Sequence, residues 1–178
     1  SQEELIGRFE LDWSGFANHV LQLNLERAYN VLDRSLVQTD DRGEGPVTVD
    51  VPGANSRVVE DRWDFLIEDN WSLGDLELIL GLGAEASTLT QTGDAALERD
   101  FFFLKPHLVG RYAAAPGAQT RLRLARDVAQ LDLTDFVSAT VFEDDDIALG
   151  NPNIRPETTW VAELGHEQRF GSVSVVKL

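Results

Sequence analysis

Apolar and polar residues alternate one by one along most of the chain, which is the period of a β-strand whose two faces meet different surroundings. In the first half the alternation is clearest in the runs RFELDW, LQLNLERAY, EDRWDFLIEDNW and LELILGLGAE. The third run places Trp63, Phe65, Ile67 and Trp71 on one side and mainly charged residues on the other. Each run therefore predicts a strand with one apolar and one polar face.

The second half continues the pattern less regularly, in the runs FFFLKPHLVGRY, QTRLRLARDVAQLDL, TWVAELGHEQRF and SVSVVKL. Because proline cannot donate to a ladder, Pro106 favours an edge, a bulge or a strand end. Short connections such as SLGD and AAAPGA alternate with long ones at residues 38–56, 88–100 and 134–156. This organisation predicts an all-β, antiparallel up-and-down meander of about seven to eight strands.

The pattern alone leaves open what the apolar face contacts. In a soluble sandwich it packs against a second sheet, whereas in a transmembrane barrel it meets lipid and the polar face lines a wet interior. The runs at residues 18–33 and 57–71 are longer than the roughly 9–11 residues of a tilted membrane crossing. The density of charge on the polar face also favours water on that side. Length and charge therefore point towards a barrel, while the solvated face of a soluble sheet stays open as the alternative.

Tryptophan positions suggest two membrane interfaces. Trp63 and Trp71 share a face and lie roughly 26 Å apart along a strand, which on tilting approaches the height of the apolar band of a barrel. Aromatic rings favour the boundary between lipid and water. We therefore expect Trp63, Trp71, Trp13 and Trp160 to be interface aromatics.

The composition of the chain limits which kinds of partner it can bind. With 31 acidic and 15 basic residues, the net charge of −16 argues against nucleic acid, which requires clustered Lys and Arg. The absence of cysteine excludes disulfides and thiolate metal sites. The sequence has no apolar run of about 18 residues, so it predicts no transmembrane helix.

Catalytic and metal-binding patterns are missing from the sequence. His19, His107 and His166 do not have the spacing of metal ligands, and no nucleophile turn of the Gly-x-Ser-x-Gly type occurs. The acidic run EDDDI at residues 143–147 could hold a cation through its oxygens, but its spacing is not that of a Ca²⁺-binding helix–loop–helix, and a solvated acidic loop is the preferred interpretation. We therefore predict no enzyme, no cofactor and no metal site, and leave cation binding by the acidic run open.

One stretch resembles a known family. GNPNIRPETTWVAELG, at residues 150–165, is similar to the late extracellular loop and following strand of TonB-dependent outer-membrane receptors. The residues that carry the motif are Gly150, Asn151, Pro152, Pro156, Glu157, Trp160, Glu163, Leu164 and Gly165. FFFLKPHLVGRY also resembles a strand of the family, so the resemblance is most specific over residues 101–170. Before residue 101 only the general style of strands and loops matches.

The resemblance implies a partial transmembrane β-barrel, with residues 1–178 forming a segment of a single barrel domain. Receptors of this kind have about 22 strands and a plugged interior. The implied partners are outer-membrane lipid, the remaining strands, a plug domain, the energy-coupling TonB protein and a small-molecule substrate. The implied location is the Gram-negative outer membrane and the implied role is uptake of a scarce solute. Within the motif, the prolines are expected to stiffen the loop end and Trp160 to anchor the strand.

Two other functions stay open from sequence. The chain could be a complete small outer-membrane barrel with a structural or adhesive role. It could also be a soluble β-sandwich that acts as a binding module.

Overall fold

The computed structural model describes most of the chain as β-strands. The described residues are 1–35, 37–40, 43, 45–49, 55–94, 96–130, 133, 140–143, 146–149, 154–170 and 174–177. Eight strands form the main sheet: β1 (Gln2–Trp13), β2 (His19–Ser35), β5 (Asn55–Leu73), β6 (Leu76–Gly93), β7 (Leu97–Ala115), β8 (Ala118–Val128), β11 (Thr158–Phe170) and β12 (Ser174–Lys177). Two hairpins form separate small sheets: β3 (Gln38–Asp40) with β4 (Val47–Val49), and β9 (Thr140–Glu143) with β10 (Asp146–Leu149).

The main sheet is an antiparallel meander in the order β1-β2-β5-β6-β7-β8-β11-β12. Each strand of this sheet pairs with the next one along the chain, apart from the small hairpins inserted between them. All-β architecture, antiparallel pairing and strand number are therefore confirmed. Within the described residues, β1 and β12 are the two edges and do not pair with each other, so the sheet is open and is not a closed barrel.

The predicted connections need two corrections. The strands β3 and β4 lie inside the predicted loop at residues 38–56, and β9 and β10 lie inside the one at 134–156. The predicted long loop at 88–100 is wrong, because β6 and β7 run through most of it and stay paired up to Gln91 and Leu97. The alternation fades there while the backbone pairing continues, since Thr88, Thr90 and Thr92 replace leucines on the apolar side of β6.

Pro106 lies inside a central strand, opposite Leu82 of β6. The ladder between β7 and β8 begins only at the next residue, His107. The proline therefore marks the end of one ladder, as expected, although not an edge of the sheet. Arg126 of β8 donates from Nη1 to the Leu104 carbonyl at 2.8 Å, which satisfies an acceptor close to the point where the two strands separate.

The register sorts the side chains onto two faces, which we call the apolar face and the charged face. On β5 the apolar face carries Trp63, Phe65, Ile67 and Trp71. The register continues it across the neighbouring strands as Leu23, Leu25, Leu80, Leu82, Leu104, Leu108, Leu122, Leu124 and Leu164. The charged face carries the intervening residues. In the part of the chain that the structure describes, no helix has the length and apolar character required to cross a membrane.

A small apolar cluster lies on the charged face, away from the short turns. Leu32, Val58 and Leu89 are buried there together with Leu133, which belongs to the connection after β8. Ile154, just before β11, packs against the same cluster. Both ends of the long connection between β8 and β11 therefore contact the charged side of the sheet.

Candidate functional site

The charged face curves around an open cavity of about 590 Å³. Residues from six consecutive strands of the main sheet line it, including Arg8, Glu26, Arg62, Lys105 and Val128. The strands β1 and β8 reach the same cavity only because the sheet curls with this face inward. The charged side is thus the concave side.

Lys105 binds two carboxylates at the centre of this face. Its Nζ lies 2.5 Å from Asp64 Oδ1 and 2.9 Å from Glu85 Oε2. Asp64 and Glu85 are directly opposite each other in the β5–β6 ladder, where like charges repel. The lysine, reaching across from β7, neutralises this repulsion.

A second group of ion pairs joins β1, β2 and β5. Arg8 Nε donates to Glu26 Oε2 at 2.7 Å. Arg62 Nη2 lies 3.7 Å from Glu26 Oε1, and Arg62 Nε lies 3.0 Å from Asp64 Oδ2. Through Asp64 this group joins the one around Lys105, so charges on five neighbouring strands form one network.

His107 also makes a contact across the strands of this face. Its Nε2 lies 2.8 Å from Glu68 Oε2, two strands away. The strand between them contributes Gly81, which is opposite both residues in the register. A Cβ at Gly81 would overlap the imidazole ring, so the absence of a side chain there lets His107 lie across β6.

The apolar face is more exposed than the charged face, which is the opposite of the arrangement in a water-soluble protein. On β6, the apolar Leu82 is 44% exposed, whereas the Glu85 side chain is only 15% exposed. On β5, Trp63 is 45% exposed and the Arg62 side chain 9%. Large apolar residues belong inside a water-soluble fold and paired charges outside it, so this sheet is built for an apolar exterior and a wet interior.

The four tryptophans all lie on the apolar face, at two levels. Trp13 is the last residue of β1 and Trp71 lies close to the short turn after β5. Trp63 lies closer to the start of β5 than Trp71 does, and Trp160 lies near the start of β11. Both strands start at the end of the sheet where the long connections lie. The Arg27 guanidinium lies 5.2 Å above the Trp63 ring and pairs with Asp61 Oδ2 at 2.8 Å.

Near the short turns, Asp69 on the apolar face contacts a histidine. Asp69 Oδ2 lies 2.8 Å from His19 Nδ1. The His19 ring stacks on Trp71 with centroids 5.1 Å apart. This carboxylate on the apolar face therefore has a partner.

The motif residues divide between the two faces. Pro156 and Glu157 lead into β11, and the Glu157 carbonyl accepts from the Ala129 N–H at 2.9 Å, which continues the β8–β11 ladder. Trp160 lies on the apolar face and is 70% exposed, whereas Glu163 and Gly165 lie on the charged face. Gly150, Asn151 and Pro152 lie outside the described residues, as do the side chains of the acidic run at 143–147.

Sequence reasoning missed the network centred on Lys105, Asp64 and Glu85. It also treated His107 as an isolated histidine, although the structure pairs it with Glu68. The signal that could have revealed these contacts is the pair Gly81 and Gly83 on one face of β6, which leaves room for long side chains from β7. Among the described residues, no group of three or more His, Asp or Glu is arranged to hold a metal ion.

Comparison with known proteins identifies a family for this sheet, whose apolar face is the more exposed one. The family model described as "TonB dependent receptor-like, beta-barrel" matches residues 1–176. The chain belongs to this family. The match extends well beyond residues 101–170, so the first hundred residues, which resembled the family only in style, are part of it too. Searches of curated proteins and of solved structures found no match.

Membership defines the general role of the chain. Proteins of the TonB-dependent receptor family are outer-membrane receptors and transporters, and the eight-stranded sheet is part of such a barrel. In full-length members the barrel works with a plug domain and with TonB, in the outer membrane of Gram-negative bacteria.

Proposed function

We propose that this chain is a segment of the barrel wall of a receptor that takes up a scarce solute across the outer membrane. Residues 1–178 form part of one barrel domain, which further strands complete. In the complete barrel, the apolar face contacts acyl chains and the charged face lines the lumen. Transport through such a wall requires binding and conformational change rather than bond chemistry.

The observation that carries this proposal is the inverted exposure of the two faces. Burying a Leu or Phe side chain stabilises a protein by about 1.5–3 kcal/mol. A water-soluble chain would not leave a continuous surface of such side chains uncovered across the main sheet. Lipid supplies the missing apolar surroundings, and a hydrated lumen supplies water to the partly exposed network around Lys105.

The tryptophan levels fit the two boundaries of the membrane. We assign Trp13 and Trp71 to the periplasmic interface, since short turns in outer-membrane barrels lie on that side. Trp63 and Trp160 then belong to the extracellular interface. Above Trp63, the pair Arg27–Asp61 lies where headgroups and water can solvate it.

The motif at the start of β11 has a structural role in this proposal. Pro152 and Pro156 restrict the backbone and so guide the long extracellular connection back to the wall. Trp160 anchors the strand at the interface. Glu163 faces the lumen, where its carboxylate is available to the plug or to a substrate.

The acidic residues of the lumen wall limit the charge of the solute. Glu10, Glu26, Glu60, Asp64, Glu68 and Glu85 on the inner face disfavour highly anionic solutes along this part of the wall. Energy coupling through TonB and the identity of the plug belong to the full-length receptor.

The alternatives differ in what completes the sheet. A soluble sandwich needs a second sheet over the apolar face, and the described strands provide none there. A complete small barrel with a structural or adhesive role needs β1 to pair with β12, and these strands remain separate edges in the described part.

The decisive test uses the full-length gene product expressed in a Gram-negative host. We expect it to fractionate with the outer membrane, to migrate differently on gels before and after heating, and to contain a plug-like domain. A gene product that fractionates with soluble proteins would contradict membrane insertion. A product that closes as a barrel of about eight strands, without a plug, would support the small-barrel alternative.

A further inference from the structure

Two arginines on the charged face lie directly opposite each other, close to the short turns. Arg111 of β7 pairs with Arg121 of β8 in the backbone register. Side chains in such a pair start about 5 Å apart, and like charges at this position repel. The arrangement is unexpected in a chain with 31 acidic and only 15 basic residues, which could readily place a carboxylate at either position.

The surrounding carboxylates do not neutralise Arg121. Glu163 lies 3.8 Å from Arg123, and Glu167 binds Arg169 at 2.9 Å and Lys177 at 3.3 Å. Among the described residues, the Arg121 guanidinium forms no ion pair and no side-chain hydrogen bond. It is exposed on the concave side of the sheet.

The partner of Arg111 is only loosely held. Its Nη1 lies 3.5 Å from Glu77 Oε2, and the Glu77 side chain is 52% exposed. Pairs with such exposure contribute little to stability. Arg111 can therefore turn towards a second anion without losing a strong contact.

The position beside Arg121 on the neighbouring strand carries no side chain. The residue opposite Arg121 on β11 is Gly165, which has no side chain to fill the neighbouring position. Two guanidinium groups around an open position can bind a carboxylate through paired, charge-assisted hydrogen bonds. The arrangement fits a planar anion that approaches from the lumen.

We propose that Arg111 and Arg121 form a carboxylate-binding site on the lumen wall, occupied by an aspartate or glutamate side chain of the plug domain. The proposal rests on the proposed function, since it requires a plug in the lumen. The position of the pair favours a polypeptide occupant over a solute. It lies near the short turns, at the end of the lumen opposite the long connections through which a solute enters.

The test is a charge-reversal experiment in the full-length receptor. Arg121→Glu should accelerate hydrogen exchange in one plug segment by roughly tenfold or more, because a charge-assisted contact is replaced by repulsion. Changing each plug Asp or Glu to Lys in this background should identify one position that restores slow exchange. Gln119→Glu is the matched control, since it adds an acid on the same face of β8 but leaves both arginines in place, and it should leave the plug unchanged.

The outcomes separate this inference from the proposed function. If the receptor contains a plug and folds normally, but Arg121→Glu leaves plug exchange unchanged, the carboxylate site is wrong and the receptor assignment stands. If the variant reduces only solute uptake, the occupant is the solute, which also contradicts the proposal. If no plug accompanies the barrel, the proposed function fails, and the site fails with it.

Discussion

The imidazole of His107 occupies the space that a side chain at Gly81 would need. The glycine lies directly between His107 and Glu68 in the register, so one missing Cβ permits a hydrogen-bond contact between strands that are not neighbours. The inner wall is thus held together across its strands by side chains as well as along its ladders.

Changing Gly81 to Ala should displace His107 and destabilise the barrel by about 1–3 kcal/mol, the usual cost of overpacking. The measurement is urea unfolding of the full-length receptor in lipid vesicles. Gly110→Ala is the control, since the nearest atom to its added Cβ is Leu78 Cδ2 at an ordinary 3.6 Å. Equal stability of the two variants would show that His107 relocates without cost.

Removing the positive charge at Lys105 should leave Glu85 without a cation, directly opposite Asp64. We expect Lys105→Met to destabilise the wall by about 1–3 kcal/mol, since Glu85 then loses its cation and faces Asp64, which keeps only Arg62. The double variant Lys105→Met with Glu85→Gln should recover most of this loss, because it removes the repulsion. A double variant as unstable as the single one would mean that Lys105 acts mainly through packing of its stem.

The contact between His19 and Asp69 on the apolar face should depend on both residues. His19→Leu leaves Asp69 without its hydrogen-bond partner at the membrane boundary, and we expect a loss of about 1–3 kcal/mol. Replacing both residues by Leu should restore stability to within about 1 kcal/mol of the original chain. If His19→Leu alone is harmless, water already satisfies Asp69 and the pair has no structural role.

Adjacent residues on β2 should respond oppositely to the same new charge. Leu23 lies on the apolar face and Gln22 on the charged face, where Gln22 is opposite Glu68. An arginine facing lipid near the middle of the membrane costs about 2–4 kcal/mol. We therefore expect Leu23→Arg to lower folding stability in vesicles by that amount and Gln22→Arg to change it by less than about 1 kcal/mol.

The sequence predicted strands best in the band that contacts lipid, where apolar and polar residues must alternate. Along β5, Trp63, Phe65, Ile67 and Trp71 keep the outward positions apolar except at Asp69, and the strand and the side of these four residues were both predicted correctly. Beyond that band the outward positions can be polar, as Thr88 and Asp100 are, which hydrogen-bond to each other at 2.7 Å. The strand continues there without an apolar signal, which is why a loop was predicted in its place.

The contacts of the inner wall could not be predicted because they depend on register over long separations. Lys105 reaches Asp64 only because β5, β6 and β7 align at those particular residues. The small hairpins were missed for a related reason, since three- and four-residue strands such as Gln38–Asp40 are too short to show a period. The motif residues were enough to suggest the family. Which of them lie on the charged face is visible only from the register of the folded strands.

The central claim is that the apolar face contacts lipid and the charged face lines a hydrated lumen. Leu66 provides the sharpest test, because it is an apolar residue on the charged face of β5 between Phe65 and Ile67. The chain has no cysteine of its own, so single cysteines at these positions can carry spin labels in the vesicle-inserted receptor. Labels at 65 and 67 should be relaxed strongly by oxygen dissolved in lipid, and the label at 66 should not. Equal oxygen accessibility at all these positions, or the reverse order, would contradict the account.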